Sequence, residues 1–274
     1  MSNYCIVYSI HSDKKDIDNL LQWRELLYSV KTLRSFNKDV KIKLYVSPPE
    51  VIDNITMFPD MENLEIIPTL NPEGSYSVLG HEVARWMDMK YNAAFNALEN
   101  SSYDNVLMID PDTVYYQDPD LLFDKCSDDE FWSTPDIYPE FFAYLKTNKT
   151  YMNDGVVIVP RWSLKNKDSL LLARDNFIIN IASKYKDVLS DEDVFWRNGI
   201  GWSSTQYGVF DYLLQIKRPV RYFDVEDVAN LPDFNSEKPP IIFHYWHVGS
   251  RDHLPEEYWS GLDDTHMTRI HAKV

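Results

Sequence analysis

The sequence predicts an α/β protein with a mostly parallel central sheet. Two observations carry that expectation. Short β-branched and aromatic runs alternate with stretches of helical periodicity, the pattern of strands connected through helices. One of those runs, VLMI at 106–109, is apolar without a break, as a strand covered on both faces is. The 274 residues are enough to bury a substantial core. A composition 44% apolar and 14% aromatic belongs to a globular chain rather than a disordered one.

In order along the chain, YCIVYSI (4–10) reads as the first strand. After HSDKKD, Leu20, Trp23, Leu27 and Val30 share one helical face. VKIKLYVS (40–47) alternates apolar and polar residues until Pro48 and Pro49 stop it, and LEIIPT (64–69) makes a third strand. NPEGSYS (71–77) is a loop by composition. His81 to Asn100 reads as a helix, with Val83, Met87, Ala94, Phe95 and Leu98 on its stripe and Arg85 and Lys90 off it. VLMID follows SSYD. The aromatic, turn-rich stretch 131–155 reads mostly as loop, and VVIVP (156–160) as another buried strand. A helix is expected around 167–187, with Ala173, Phe177 and Ile181 four apart. Ser190 opens SDED, a capping pattern for a further helix. KPPIIFHYWHVG (238–249) gives a late strand ending in histidines. With no repeat, low-complexity segment or linker, residues 1–274 read as one domain.

The charge narrows the partners. With 43 Asp+Glu against 27 Lys+Arg the net charge is −16, which argues against binding a nucleic-acid backbone. An anionic substrate would need a local Lys/Arg cluster or a bound cation. Cys5 and Cys126, the only cysteines, read as reduced, partly buried thiols. The N-terminus shows no signal-peptide pattern, and no window approaches about 18 uninterrupted apolar residues. Asn54, Asn100 and Asn148 begin glycosylation patterns that mean little without a secretory signal. The expectation is a soluble, cytoplasmic protein with no integral membrane segment.

The chemistry concentrates where VLMI meets Asp110, Pro111 and Asp112. Ligands of open α/β sheets gather at the carboxyl ends of strands. Two carboxylates so close repel unless a proton or cation lies between them. Oxygen ligands of this kind suit Mg²⁺ or Mn²⁺. Asp-x-Asp-x-Val after an apolar strand also fits the first motif of haloacid-dehalogenase-like phosphatases, with Asp110 as nucleophile and Asp112 as acid/base. Against that stand about 100 preceding residues with strands of their own, Thr113 where a smaller residue is usual, and no clear lysine motif followed by paired acids, Asp191 and Asp193 being the best stand-ins.

A series of short matches, in order, resembles the glycogenin-like glycosyltransferases of GT-A fold. YCIVYSI resembles the strand that cradles the nucleotide. ARWMDMKYNAAF leading to SYDNVLMIDPDTVYYQDPDLLF resembles that family's helix and DxD strand. MNDGVVIV resembles its Asn-x-Gly strand entry, and LPDFN followed by IIFHYWHVGSRDH its histidine close. The resemblance implies a Rossmann-like GT-A fold. It also implies transfer of a sugar from a nucleoside-diphosphate donor, with UDP favoured, to a glycan or other hydroxyl acceptor, and it leans to retention at the sugar stereocentre. An inactive sugar- or nucleotide-binding protein on the same fold is the reading outside enzymology.

Site roles are implied residue by residue. Ser9, Ile10 and His11 would meet the nucleotide. Asp110 and Asp112 would hold Mn²⁺ or Mg²⁺ with His244 as third ligand. The expected glycine stands two residues after His247, as Gly249, rather than three after His244, so the choice between the histidines stays open. Arg85 and Lys90 match the helix that reaches the donor diphosphate. Arg251 stands near the family's Lys-Pro-Trp, whose Pro-Trp is absent here. Asn153, Asp154 and Gly155 would meet sugar hydroxyls, glycine allowing a ligand to come close. Asp191 with Glu192 takes the place of the Asp-Gln that faces the sugar, with Gln206 or Asp211 as substitutes. Phe131, Trp132, Tyr138, Phe141, Phe142, Tyr144 and Trp202 offer either an acceptor platform or core filling.

Overall fold

A computed structural model describes residues 3–12, 21–55, 62–69, 75–78, 81–84, 89–127, 129–136, 149–189, 200–230 and 233–245. Strand β1 (Tyr4–His11) is followed by α1 (Leu21–Phe36), β2 (Ile42–Ser47), a 3₁₀ turn at Pro49–Asn54 and β3 (Leu64–Pro68). A hairpin of β4 (Ser75–Val78) and β5 (His81–Ala84) precedes α2 (Met89–Glu99), β6 (Asn105–Ile109), β7 (Thr113–Tyr115), α3 (Asp120–Phe123) and β8 (Trp132–Pro135). Next come β9 (Met152–Pro160), α4 (Lys167–Lys184), α5 (Ile200–Gln215), β10 (Arg221–Tyr222), β11 (Val228–Asn230) and β12 (Ile242–His244). No helix among the described residues is long and apolar enough to cross a membrane.

Seven strands form the main sheet in the order β10-β8-β9-β6-β1-β2-β3. Only β9 runs against its two neighbours, so the sheet is mostly parallel. The unbroken apolar run of β6 has the expected cause. Val106 and Met108 pack into one core with α2, α4 and α5, whereas Leu107 and Ile109 pack into the other with Trp23, Leu26 and Val30 of α1. A small second sheet, β11-β12-β7, stands beyond the end of β6. Its β12 pairs antiparallel with β7, setting His244 opposite Thr113.

Five local expectations need correction. Residues 75–77 lie in β4 rather than a loop, and His81–Ala84 is a strand rather than the first turn of a helix. Four-residue strands are too short for periodicity to separate from one helical turn, and their mutual pairing decides. Within 131–155, Trp132–Pro135 is a strand because both β9 and β10 pair with it, and β9 begins at Met152 rather than at Val156. Strand β12 is confined to Ile242–His244 within the longer expected run.

Candidate active site

Four chain segments converge at the carboxyl end of β6. The turn Asp110-Pro111-Asp112-Thr113 leaves β6 and enters β7. The start of β9 lies alongside, with the Asp110 N–H donating to the Gly155 carbonyl at 2.8 Å. His244 arrives on β12, and Lys90 from the first turn of α2. Strand β1 pairs in parallel with β6 through Val7 and Met108, so its continuation through Ser9 to His11 runs toward the same edge.

A buried hydroxyl chain fixes the turn. Thr113 Oγ1 donates to the Asp110 carbonyl at 2.9 Å, which spends its single proton. Ser29 must then donate to Thr113 at 2.8 Å and Tyr8 to Ser29 at 2.8 Å. The Tyr245 N–H caps the Asp112 carbonyl at 3.1 Å. Both carboxylates are thereby aimed from a backbone held on either side.

One ligand atom from each of Asp110, Asp112 and His244 lies within 4.8 Å of the others. His244 Nε2 is 3.5 Å from Asp112 Oδ1 and 3.9 Å from Asp110 Oδ2. The imidazole's other nitrogen shows how it is oriented. Nδ1 is 3.3 Å from Asn230 Oδ1, and Asn230 Nδ2 donates to the Pro135 carbonyl at 3.4 Å. With its NH₂ committed there, Asn230 offers oxygen to His244, so Nδ1 donates to it and Nε2 is the ring nitrogen turned toward the aspartates. Two carboxylates pointed at one place repel unless a proton or a cation lies between them. This set, two carboxylates and one imidazole nitrogen, fits a divalent metal and, among the described residues, leaves part of an octahedral coordination sphere open.

Gly155 makes room for that histidine. A Cβ there would stand 2.1 Å from His244 Cε1. The close approach that glycine permits here is that of the imidazole. Asn153 turns its Oδ1 back to the Gly155 N–H at 2.9 Å.

Asp110 has Lys90 as an internal counter-ion. Lys90 Nζ is 2.7 Å from the Asp110 carboxylate and 3.1 Å from Asp154 Oδ1. It also reaches the Asp154 carbonyl at 3.4 Å. Burial pushes the Asp110 carboxyl up to about 6, Lys90 opposing and Asp112 and Asp154 adding to the rise. Burial works against the Lys90 charge, but Asp110 and Asp154 outweigh it and hold the ammonium above its ordinary value. Asp154 is fixed in turn. Its N–H donates to Gln206 Oε1 at 3.1 Å, and Gln206 Nε2 donates to the buried Asp136 at 2.8 Å. The Tyr207 hydroxyl donates to the same Asp136 oxygen. The Tyr91 hydroxyl is buried without a hydrogen-bond partner among the described residues. Burial and the Asp154 and Asp110 carboxylates hold it protonated far above the phenol range.

The structure thus brings together Asp110, Asp112, His244, Lys90, Asp154 and Gly155 from the residues singled out in sequence. Ile10 spends its side chain in the core, and His11 Nδ1 lies 3.4 Å from Ser47 Oγ. Asp211 pairs with Lys149 at 2.7 Å rather than with the acidic cluster. Phe131 is core, edge-on to Trp162. Arg85, Asp191, Glu192, Asp193, His247, Gly249 and Arg251 lie outside the described residues, as do Tyr138, Phe141, Phe142 and Tyr144. Asn230 and Asp136 were missed in sequence. The one available signal was a polar residue closing the short apolar run VAN.

No protein-family model and no curated protein matches the sequence. Solved structures do match the fold. Mouse xyloside xylosyltransferase 1 in its apo form superposes with a TM-score of 0.52 at 9% identity, over 89% of this chain and 97% of that one. The apo-form glycosyltransferase GlyE of Streptococcus pneumoniae TIGR4 gives 0.53 at 14% identity, over 95% of this chain and 60% of GlyE. This chain therefore spans less than two thirds of GlyE. What is shared at such identities is architecture, and the architecture is the GT-A type of glycosyltransferases.

Proposed function

We propose that this protein transfers a glycosyl group from a nucleoside-diphosphate sugar, UDP being the favoured nucleotide, to a hydroxyl of a glycan or similar acceptor. The observation that carries the reading is the Asp110, Asp112 and His244 cluster at the carboxyl end of β6, within a GT-A-type fold. Asp110, Asp112 and His244 would hold Mn²⁺ or Mg²⁺. A bound divalent ion supplies Lewis-acid stabilisation of the charge that develops on the leaving diphosphate.

The chain's own groups take the remaining roles. Lys90 offers an ammonium to the diphosphate, and Arg85 a second cation from the same stretch of chain. Ser9 to His11 line the nucleoside side through backbone and small polar groups. Asp154 accepts from sugar hydroxyls, its position fixed through Gln206 and Asp136. Asp191 or Glu192 orients the donor sugar or takes the acceptor proton. His247, Gly249 and Arg251, which lie outside the described residues, would contact the phosphates as the resemblance implies, and the sugar stereocentre would be retained. The reading extends to a cytoplasmic setting, in keeping with a sequence that carries only the cysteines Cys5 and Cys126.

A thermal-shift panel tests this. UDP, GDP, CDP and ADP are each added with Mn²⁺ or EDTA to wild type and Asp112→Ala, because a ligand bound only by the native state raises Tm. The expected result is stabilisation by one nucleotide that requires Mn²⁺ and is lost in the variant. A Mg²⁺-dependent shift with a phosphate mimic and none with any nucleotide would favour the phosphatase with Asp110 as nucleophile. Nucleotide binding without turnover would leave the inactive binder.

A further inference from the structure

Lys90 stands where a metal ion would have to work. Its ammonium neutralises Asp110, one of the three groups a divalent ion would need, while Asp112 faces His244 instead. The lysine is not committed to Asp110 alone. It also touches the carboxylate and the carbonyl of Asp154, and Asp154 is anchored independently through Gln206. The Lys90 side chain keeps 27% of its surface exposed, against 18% for Asp110 and 4% for Asp112. A flexible four-carbon stem carrying three donors can turn off Asp110 toward an incoming anion while keeping Asp154.

We infer that Lys90 is an exchangeable resident cation. It occupies Asp110 in the ligand-free protein and passes to the diphosphate when metal and nucleotide bind, so the two ligands bind cooperatively. Metal arriving alone would meet a like charge at Asp110 and leave Lys90 without its stronger partner. A diphosphate arriving with the metal gives the ammonium a replacement anion and frees Asp110. Coupling of this kind is reciprocal, since each ligand tightens the other by the same factor. The proposal rests on the donor reading above for its anion, but its metal arm stands on the Lys90–Asp110 contact alone.

The test is Mn²⁺ titration, followed by the electron paramagnetic resonance of free Mn²⁺ and by calorimetry. It uses wild type, Lys90→Met and Lys90→Arg, each with and without UDP, with inorganic pyrophosphate as a second anion. In wild type, Mn²⁺ and UDP should tighten each other by about tenfold or more. Lys90→Met should bind Mn²⁺ alone about tenfold more tightly than wild type, with the coupling factor falling toward one. Lys90→Arg, which keeps the charge, should resemble wild type in Mn²⁺ alone. Circular dichroism and Tm confirm that each variant is folded. Coupling by pyrophosphate but not UDP would sink the donor reading and keep the role of Lys90. Equal Mn²⁺ affinity in wild type and Lys90→Met, or no coupling to either anion in wild type, would overturn the inference.

Discussion

The two aspartates of the acidic turn stand two residues apart and live in different surroundings. Asp112 is buried against His244, whose ring is oriented by Asn230 and whose position depends on the missing Cβ of Gly155. Asp110 is more exposed and paired with Lys90, which is shared with Asp154. One half is a receptor whose geometry is set by backbone and buried amides. The other is a charge balance that can be rearranged.

Removing the fixed half should have the largest effect. Asp112→Asn deletes a ligand rather than its support, and loss of a supporting partner typically costs about 10–100-fold in metal affinity. Mn²⁺ affinity should therefore fall more than about 100-fold. The metal-free variant should be no less stable than wild type, because it also loses a like-charge pair. Calorimetry and urea unfolding read the two arms.

Gly155→Ala should come next. Its Cβ must displace the His244 ring, costing about 1–3 kcal/mol of stability by overpacking and weakening metal binding on the fixed side. Asn230→Ala should cost about 10–100-fold in Mn²⁺ affinity, with Asn230→Asp, which keeps an acceptor for Nδ1–H, recovering most of it. If Asn230→Ala leaves affinity unchanged, the imidazole is not held in the way described.

The last prediction, which leaves ligand binding aside, concerns the hydroxyl chain under the turn. Burial pushes the Tyr8 phenol up to about 12, above the ordinary value of about 10. A raised folded value means that the stabilising contribution is intact below pH 10 and is lost as pH climbs toward and through 12. Alkaline unfolding should therefore steepen between pH 10 and 12, by about 2–3 kcal/mol for this group. Tyr8→Phe should flatten that part of the profile.

Much of this was legible in local sequence, and the rest was not for a physical reason. An apolar run ending in Asp110 and Asp112 announces a doubly covered strand with a charged exit, and both properties follow from neighbouring residues. Strand β7 is three residues long and exists because β12, more than a hundred residues later, pairs with it. The need for glycine at 155 is likewise set by the ring of His244, and the role of Asn230 by the same ring. Val83 fitted a helical stripe as well as a strand, and pairing of His81–Ala84 with Ser75–Val78 settled it. Local chemistry marks a charged strand end, while the partners that orient it come from distant segments that fold onto it.

The most direct measurement is release of nucleoside diphosphate from a panel of nucleotide sugars, with and without simple sugar acceptors, for wild type and Asp112→Asn. The account predicts release from one donor class that requires Mn²⁺ or Mg²⁺, accelerates with an acceptor and disappears in the variant. Release from no donor under any condition, or release that survives in Asp112→Asn and in EDTA, would contradict it.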